Sequence, residues 1–169
     1  MKNILACFLL ITIYSCDDGD IAIETINFDQ SDIQFCGNAP TTGTTLFFKM
    51  VDEEALILTL RSGTLKNEAS DGEVPYPISG DTKITYRIFS DKISKNYFCD
   101  VLPPQTPSVI EEIEAQSGSV LITTVAKVVG EATTYEHTIR LSEISLVNKT
   151  NDQRITDLRI NNFGTVTTQ

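Results

Sequence analysis

The sequence predicts an all-β protein, an antiparallel β-sandwich of Ig-like or jelly-roll-like type with about 8–10 strands and one disulfide; a closed β-barrel is the alternative. Three observations predict it. From residue 21 onward, apolar and polar residues alternate with period two nearly everywhere. Clusters of Gly, Asn, Asp, Ser and Pro punctuate that alternation at short intervals. No stretch carries helical periodicity over about ten residues.

The elements follow in order. Residues 21–28 alternate loosely and lead through Asp29-Gln30-Ser31-Asp32 into a strand at 33–36. Gly37, Asn38, Pro40 and Gly43 mark a turn or loop. Across 44–51, Leu46, Phe48 and Met50 share one face, with Thr45, Phe47 and Lys49 on the other. After the polar link Asp52-Glu53-Glu54, the residues Leu56, Leu58 and Leu60 resume the alternation, which predicts a β-hairpin. Residues 62–81 form a long excursion with a short strand at 74–78, confined to an edge by Pro75 and Pro77. A strand at 82–89 turns Ile84, Tyr86 and Ile88 inward. Residues 96–101 carry Cys99, and Pro103, Pro104 and Pro107 stiffen the next connection as an extended segment.

Residues 108–114 fit two patterns. Ser108 with Glu111 matches a helix capping box, while Val109, Glu111 and Ile113 match an edge strand. A long strand at 119–129 places Val120, Ile122, Thr124, Ala126 and Val128 on one side. Gly130-Glu131-Ala132 turns it back into 133–147, where the inward set begins Tyr135, His137, Ile139, Leu141 and then shifts phase to Ile144 and Leu146. Such a shift predicts a β-bulge near Ser142-Glu143. A polar turn at 148–152 and strands at 154–160 and 163–168 complete the chain. The sandwich is preferred because a Cys36–Cys99 bridge would join distant strands. Phe47 and Phe89 fall on outward faces, so either a second layer covers them or they mark a contact patch.

The N-terminal segment reads separately. Lys2 supplies a positive charge, residues 4–14 are apolar apart from Thr12, and Ser15 precedes Cys16. This resembles the bacterial lipobox, in which the cysteine is lipidated and the chain cut before it. Eleven helical residues at about 1.5 Å each cover about half of a roughly 30 Å hydrocarbon layer, which argues against a membrane span. The expected organisation is therefore a signal peptide at 1–15, a lipidated Cys16 with an acidic tether at 16–20, and one β domain at 21–169. Asp17-Asp18-Gly19-Asp20 has three readings: calcium ligands without EF-hand spacing, a solvated linker, or an export signal. The run resembles the acidic signal that sends Bacteroidetes lipoproteins to the cell surface. In enterobacterial lipoproteins an aspartate after the cysteine resembles a retention signal, so the alternative address is a periplasmic leaflet.

Cysteine use follows. Cys7 leaves with the signal and Cys16 takes the lipid, which leaves Cys36 and Cys99 as a pair in an oxidising compartment. Closing a loop of roughly 60 residues contributes roughly 4 kcal/mol on a chain-entropy argument.

Composition excludes some partners. The chain holds 13 basic and 23 acidic residues, net −10, and removing Lys2 with the signal makes the remainder −11. That charge repels phosphate backbones, so nucleic acid is not an expected partner. It also disfavours binding anionic headgroups through basic residues, so the membrane is reached through the lipid. There is no Gly-x-Ser-x-Gly elbow, phosphate loop or paired-histidine motif. The single histidine, His137, reads either as a base or, preferably, as a strand residue packed beside Tyr135 and Ile139. Carboxylates at 52–54, 71–73 and 111–114 would serve a glycosidase but equally form solvated loops. The chain has no tryptophan, and Tyr76, Phe89, Tyr97, Phe98 and Phe163 are explained as core or as glycan-facing rings alike.

Ser15-Cys16-Asp17-Asp18-Gly19-Asp20, Phe35-Cys36-Gly37, and Asn96-Tyr97-Phe98-Cys99 with its following prolines together resemble a group of small surface lipoproteins of Bacteroidetes (Flavobacteriia). The resemblance spans most of the chain, implies a surface address, and lends no catalytic residue. The expected function is a lipid-anchored envelope protein, non-enzymatic and without cofactor or metal, serving as a binding or accessory module for an envelope protein or glycan. The alternatives are a hydrolase of extracellular polysaccharide using two carboxylates, or a barrel around a small apolar ligand. The residues expected to matter are Cys16 for lipidation, Asp17, Asp18 and Asp20 for export, and Cys36 with Cys99 for the crosslink.

Overall fold

A computed structural model describes residues 26–148, 154–155 and 161–169. The described residues are all-β apart from one helical turn, and all of the strand pairs are antiparallel. A short β1 (Gln34–Phe35) pairs with β2 (Leu46–Val51), which turns through Asp52-Glu53 into β3 (Glu54–Thr59). Asp52 adopts a left-handed conformation, φ 46°, which an Asp side chain tolerates better than most. The chain then leaves this meander for β4 (Val74–Pro77) and returns as β5 (Lys83–Phe89) beside β3. The prolines of β4 lie on a strand with one paired neighbour, as their missing N–H requires.

The single helical turn, α1 (Asn96–Cys99), precedes the longest strand, β6 (Val109–Val129). Its first half pairs with β5, and its second half lies between β4 and β7 (Ala132–Val147). Residues 109–114 are thus strand, and no capped helix starts at Ser108. The far edge of β7 carries β8 (Arg154–Ile155) and β9 (Asn162–Thr168).

These pairings make one continuous sheet curled into an open half-barrel. The expected sandwich needs two separate sheets, and β6 instead runs through both halves and joins them. The curl comes from β6, whose register against β7 breaks between Ala115 and Ser119. Opposite that break, Ser142 to Ser145 hold the extra residue of a bulge and Glu143 has φ 55°, where the phase shift in the sequence predicts it. Gly118 lies against this bulge with φ 121°; a Cβ there would meet Ile144 Cδ1 at 2.6 Å and Glu143 O at 2.8 Å. Only glycine fits.

The concave side holds the main core. Phe28, Phe47, Leu58 and Tyr86 on one half face Val120, Ile139, Leu146 and Phe163 on the other, all essentially inaccessible. Phe28 and Tyr86 meet edge to face at 6.4 Å. Each such side chain contributes on the order of 2 kcal/mol through burial.

A second core covers the convex side of β2, β3 and β5. Phe48, Ala55, Ile57 and Phe89 pack there under Ile93, Tyr97 and Phe98. Phe48 stacks on Phe98 at 4.3 Å, and Phe89 meets Tyr97 edge-on at 4.9 Å. The Cys36–Cys99 disulfide ties the end of β1 to α1 and holds this lid in place. The bridge therefore pins a local cover to one half of the sheet rather than joining two sheets. Phe89 is outward and covered by a second layer, as one branch of the expectation has it. Phe47 points into the main core, contrary to expectation. Both faces of β2 are apolar, so alternation alone does not say which is the concave one.

Candidate functional site

Two polar places break the apolar pattern, one buried and one open. The buried one is centred on His137 of β7, which is 0% exposed. Its Nδ1 lies 2.8 Å from Thr124 Oγ1 on β6, and its Nε2 lies 2.9 Å from Thr168 Oγ1 on β9. The Thr168 hydroxyl donates to Asn67 Oδ1 at 2.5 Å. With its proton spent there, Thr168 accepts from Nε2–H, and Nδ1 accepts from the Thr124 hydroxyl. Burial lowers the His137 pKa and keeps the ring neutral. The order hydroxyl, imidazole, hydroxyl resembles a catalytic relay in outline, but the third member carries no charge to stabilise an imidazolium. What the arrangement does is fasten the C-terminal strand and the 60s loop to β7. A cavity of about 220 Å³, lined by Glu68, Ser70, Asp71, Tyr76 and Thr124 among others, opens beside it. Ser70 caps that loop, its hydroxyl accepting from Thr124 N–H at 2.9 Å.

The open place is the seam of the half-barrel, where the first and last described segments approach. Ile33 packs so tightly on Gly164 of β9 that a Cβ at 164 would stand 2.7 Å from Ile33 Cβ. Beside this contact runs a cleft of about 430 Å³, lined on one bank by Asp29 and Asp32 and on the other by Asn162 and Thr165. Lys49 of β2 forms part of its lining. Lys49 is 4% exposed, a rare position for a lysine in a run as apolar as Leu46-Phe47-Phe48-Lys49-Met50-Val51. Its ammonium makes no hydrogen bond or ion pair within the described structure. Burial lowers its pKa, against smaller opposing effects of Asp29 and Asp32. Ser31 is not free to help, because its hydroxyl donates to Met50 O and accepts from Met50 N–H.

The residues singled out in the sequence are placed as follows. Cys16, Asp17, Asp18 and Asp20 lie outside the described residues, as does Cys7. Cys36 and Cys99 are bonded to each other. The acidic clusters do not converge on one point. Glu73 pairs with Arg140, Glu112 with Arg87, Glu114 with Lys83 and Asp52 with Lys92, while Glu111 accepts from Asn148. Among the aromatics, Phe89 and Phe163 are buried and Tyr76, Tyr97 and Phe98 are half-buried. Asp29, Asp32 and Lys49 were not singled out by any motif. The available signal was a charge inside an otherwise apolar strand.

Among the described residues, the most exposed large apolar side chains are Val101 (99%), Leu102 and Ile110 around the proline segment, and Val125 and Val128 on the β6–β7 hairpin. Ala126 and Val128 continue the alternation of the core face but are exposed, because the hairpin runs past the body of the sheet. No helix among the described residues is long and apolar enough to cross a membrane.

No family model matches the chain, and no curated protein or solved structure matches it either.

Proposed function

We propose that this chain is a lipid-anchored lipoprotein of the bacterial cell envelope whose β domain is a non-enzymatic binding or accessory module. Residues 1–15 direct export, Cys16 carries the lipid, and Asp17, Asp18 and Asp20 send the protein to the outer face of the outer membrane, in a host of the Bacteroidetes (Flavobacteriia) lineage. The observation that carries this reading is the allocation of sulfur. The Cys36–Cys99 bond belongs to an oxidising compartment and leaves Cys16, behind a short apolar segment, as the cysteine for acylation. An apolar patch around Val101 and Leu102 and the projecting β6–β7 arm offer contact surfaces to an envelope partner.

Radiolabelled palmitate fed to a bacterial host expressing the full chain tests the anchor. The wild type should be labelled and sediment with membranes, and Cys16→Ser should be neither. Protease added to intact cells should remove the wild-type domain, and neutralising Asp17, Asp18 and Asp20 together should protect it. An unmodified thiol at position 16 in native material would overturn the reading.

A second reading draws on the seam cleft: Asp29 and Asp32 both line it, and a glycan hydrolase needs two carboxylates in one cleft. Release of reducing ends from polysaccharide by the wild type, lost in Asp29→Asn or Asp32→Asn, would establish it in place of the non-enzymatic one.

A further inference from the structure

The seam cleft combines groups that no single charged ligand satisfies. Lys49, a residue more than nine-tenths buried, lines the cleft with a donor-only ammonium that has no hydrogen-bond or ion-pair partner within the described structure. An ammonium that opens onto the cleft without a protein acceptor favours an incoming one. An anion would answer the ammonium, but Asp29 and Asp32 on the same cleft and the net charge of −10 oppose it. A cation would answer the carboxylates and be repelled by Lys49. A neutral hydroxyl both accepts and donates, so neighbouring hydroxyls on one molecule can accept a hydrogen bond from Lys49 and donate hydrogen bonds to Asp29 or Asp32. Asn162 and Thr165 add amide and hydroxyl groups on the facing bank, and the volume of about 430 Å³ is that of a small-molecule site.

We propose that the cleft between the first and last strands binds a neutral saccharide, with Lys49 donating to one ring hydroxyl and Asp29 and Asp32 accepting from its neighbours. This deepens the binding-module reading and rests on it only for the supply of glycan at the cell surface. Phe163 lies under the cleft with no accessible surface, so no ring stacks on the sugar and recognition is by hydrogen bonds alone. Binding is accordingly weak for one sugar and gains from repetition along a polysaccharide, where many copies on a cell surface engage one chain.

The test uses the mature, detergent-solubilised protein and protein-observed NMR. The probes are glucose, galactose, mannose, xylose and N-acetylglucosamine with their oligomers; sodium acetate and inorganic phosphate serve as anionic controls. The expected result is saturable shifts confined to residues around 29–33, 49 and 162–165 with at least one neutral sugar, and none with the anions. Lys49→Met keeps the packed stem and should weaken binding at least tenfold. Asp32→Asn, at an exposed position, should weaken it without affecting folding, and Lys127→Met on the distant hairpin should change nothing. Absence of saturable binding across the panel overturns the proposal, as does binding that Lys49→Met and Asp32→Asn both leave intact, or tighter binding of phosphate or acetate. A protein that is palmitate-labelled yet binds no sugar keeps its anchor and loses this site; one that binds sugar without a lipid does the reverse.

Discussion

The buried imidazole makes stability depend on pH in a window that no other side chain occupies. The chain has one histidine, His137, and burial depresses its pKa from the ordinary 6.5. In the unfolded chain the ring takes a proton near its ordinary pKa, and in the folded protein it resists. A depressed pKa means stability that is complete above the unfolded value and lost as pH falls through it. The loss approaches about 1.4 kcal/mol for each pH unit below 6.5 while the folded ring stays neutral. Between pH 7.5 and pH 5.0 this amounts to at most about 2 kcal/mol, before carboxylates begin to titrate. Urea unfolding followed by tyrosine fluorescence at half-unit pH steps, on the oxidised domain, reads it. Replacing the ring by His137→Gln removes the titrating group and should flatten the curve from pH 7.5 to 5.0, although it lowers stability overall by disturbing the bonds to Thr124 and Thr168. A wild-type curve that is flat in this window, or one that His137→Gln leaves equally steep, would refute the reasoning.

Three further outcomes follow from the same structure. Gly118→Ala should destabilise by about 3 kcal/mol or more, since a methyl at φ 121° meets both Ile144 and the Glu143 carbonyl, and denaturant midpoints check it. Replacing Cys36 and Cys99 together by alanine should lower stability by roughly 4 kcal/mol and expose Phe98 and Tyr97, visible as loss of near-UV circular dichroism and early proteolysis between residues 90 and 108. Lys49→Met should leave stability unchanged or raise it by up to about 1 kcal/mol, because it removes an ammonium that has no bonded partner; a loss of more than about 1.5 kcal/mol in a thermal melt would contradict that account.

The parts of the fold that the sequence makes legible are those where one face meets the core and the other meets water. Ile84 and Tyr86, the edge strand bounded by Pro75 and Pro77, and the phase shift before Ile144 are all visible in the alternation. The bulge is legible for a geometrical reason: one inserted residue must flip every later side chain, so Leu141 and Ile144 cannot both stay inward without it. What is not legible is curvature and layer order. Whether β6 ends one sheet or continues through both halves depends on a bend at Gly118, and the same alternation is compatible with either. Phe47 and Phe48 are equally apolar neighbours, so their assignment to concave and convex cores waits on which face the disulfide lid covers. The candidate site escapes motif reading because Asp29, Asp32 and Lys49 meet Asn162 and Thr165 only across the seam, more than a hundred residues apart in the chain.

The seam also explains why the sheet stays open and why a polar site sits there. A barrel closes by hydrogen bonding its first strand to its last. Among the described residues, β1 has two paired residues, β9 pairs with β7, and the two ends touch where Ile33 packs against Gly164. An unclosed edge leaves backbone groups and strand ends without neighbours, and such an edge is a hazard unless it is short or charged. Asp29 and Asp32 supply that charge on one bank. Lys49, reaching from the adjacent strand, keeps their field from excluding every ligand. The same gap that prevents barrel closure therefore creates a cleft with both donors and acceptors, which a filled barrel interior of Phe28, Phe47, Tyr86 and Phe163 does not offer. Replacing Gly164 by alanine sets the two roles against each other. The new methyl would push Ile33 away, and the seam should open and lose its ligand before the rest of the sheet, still joined through β6, unfolds.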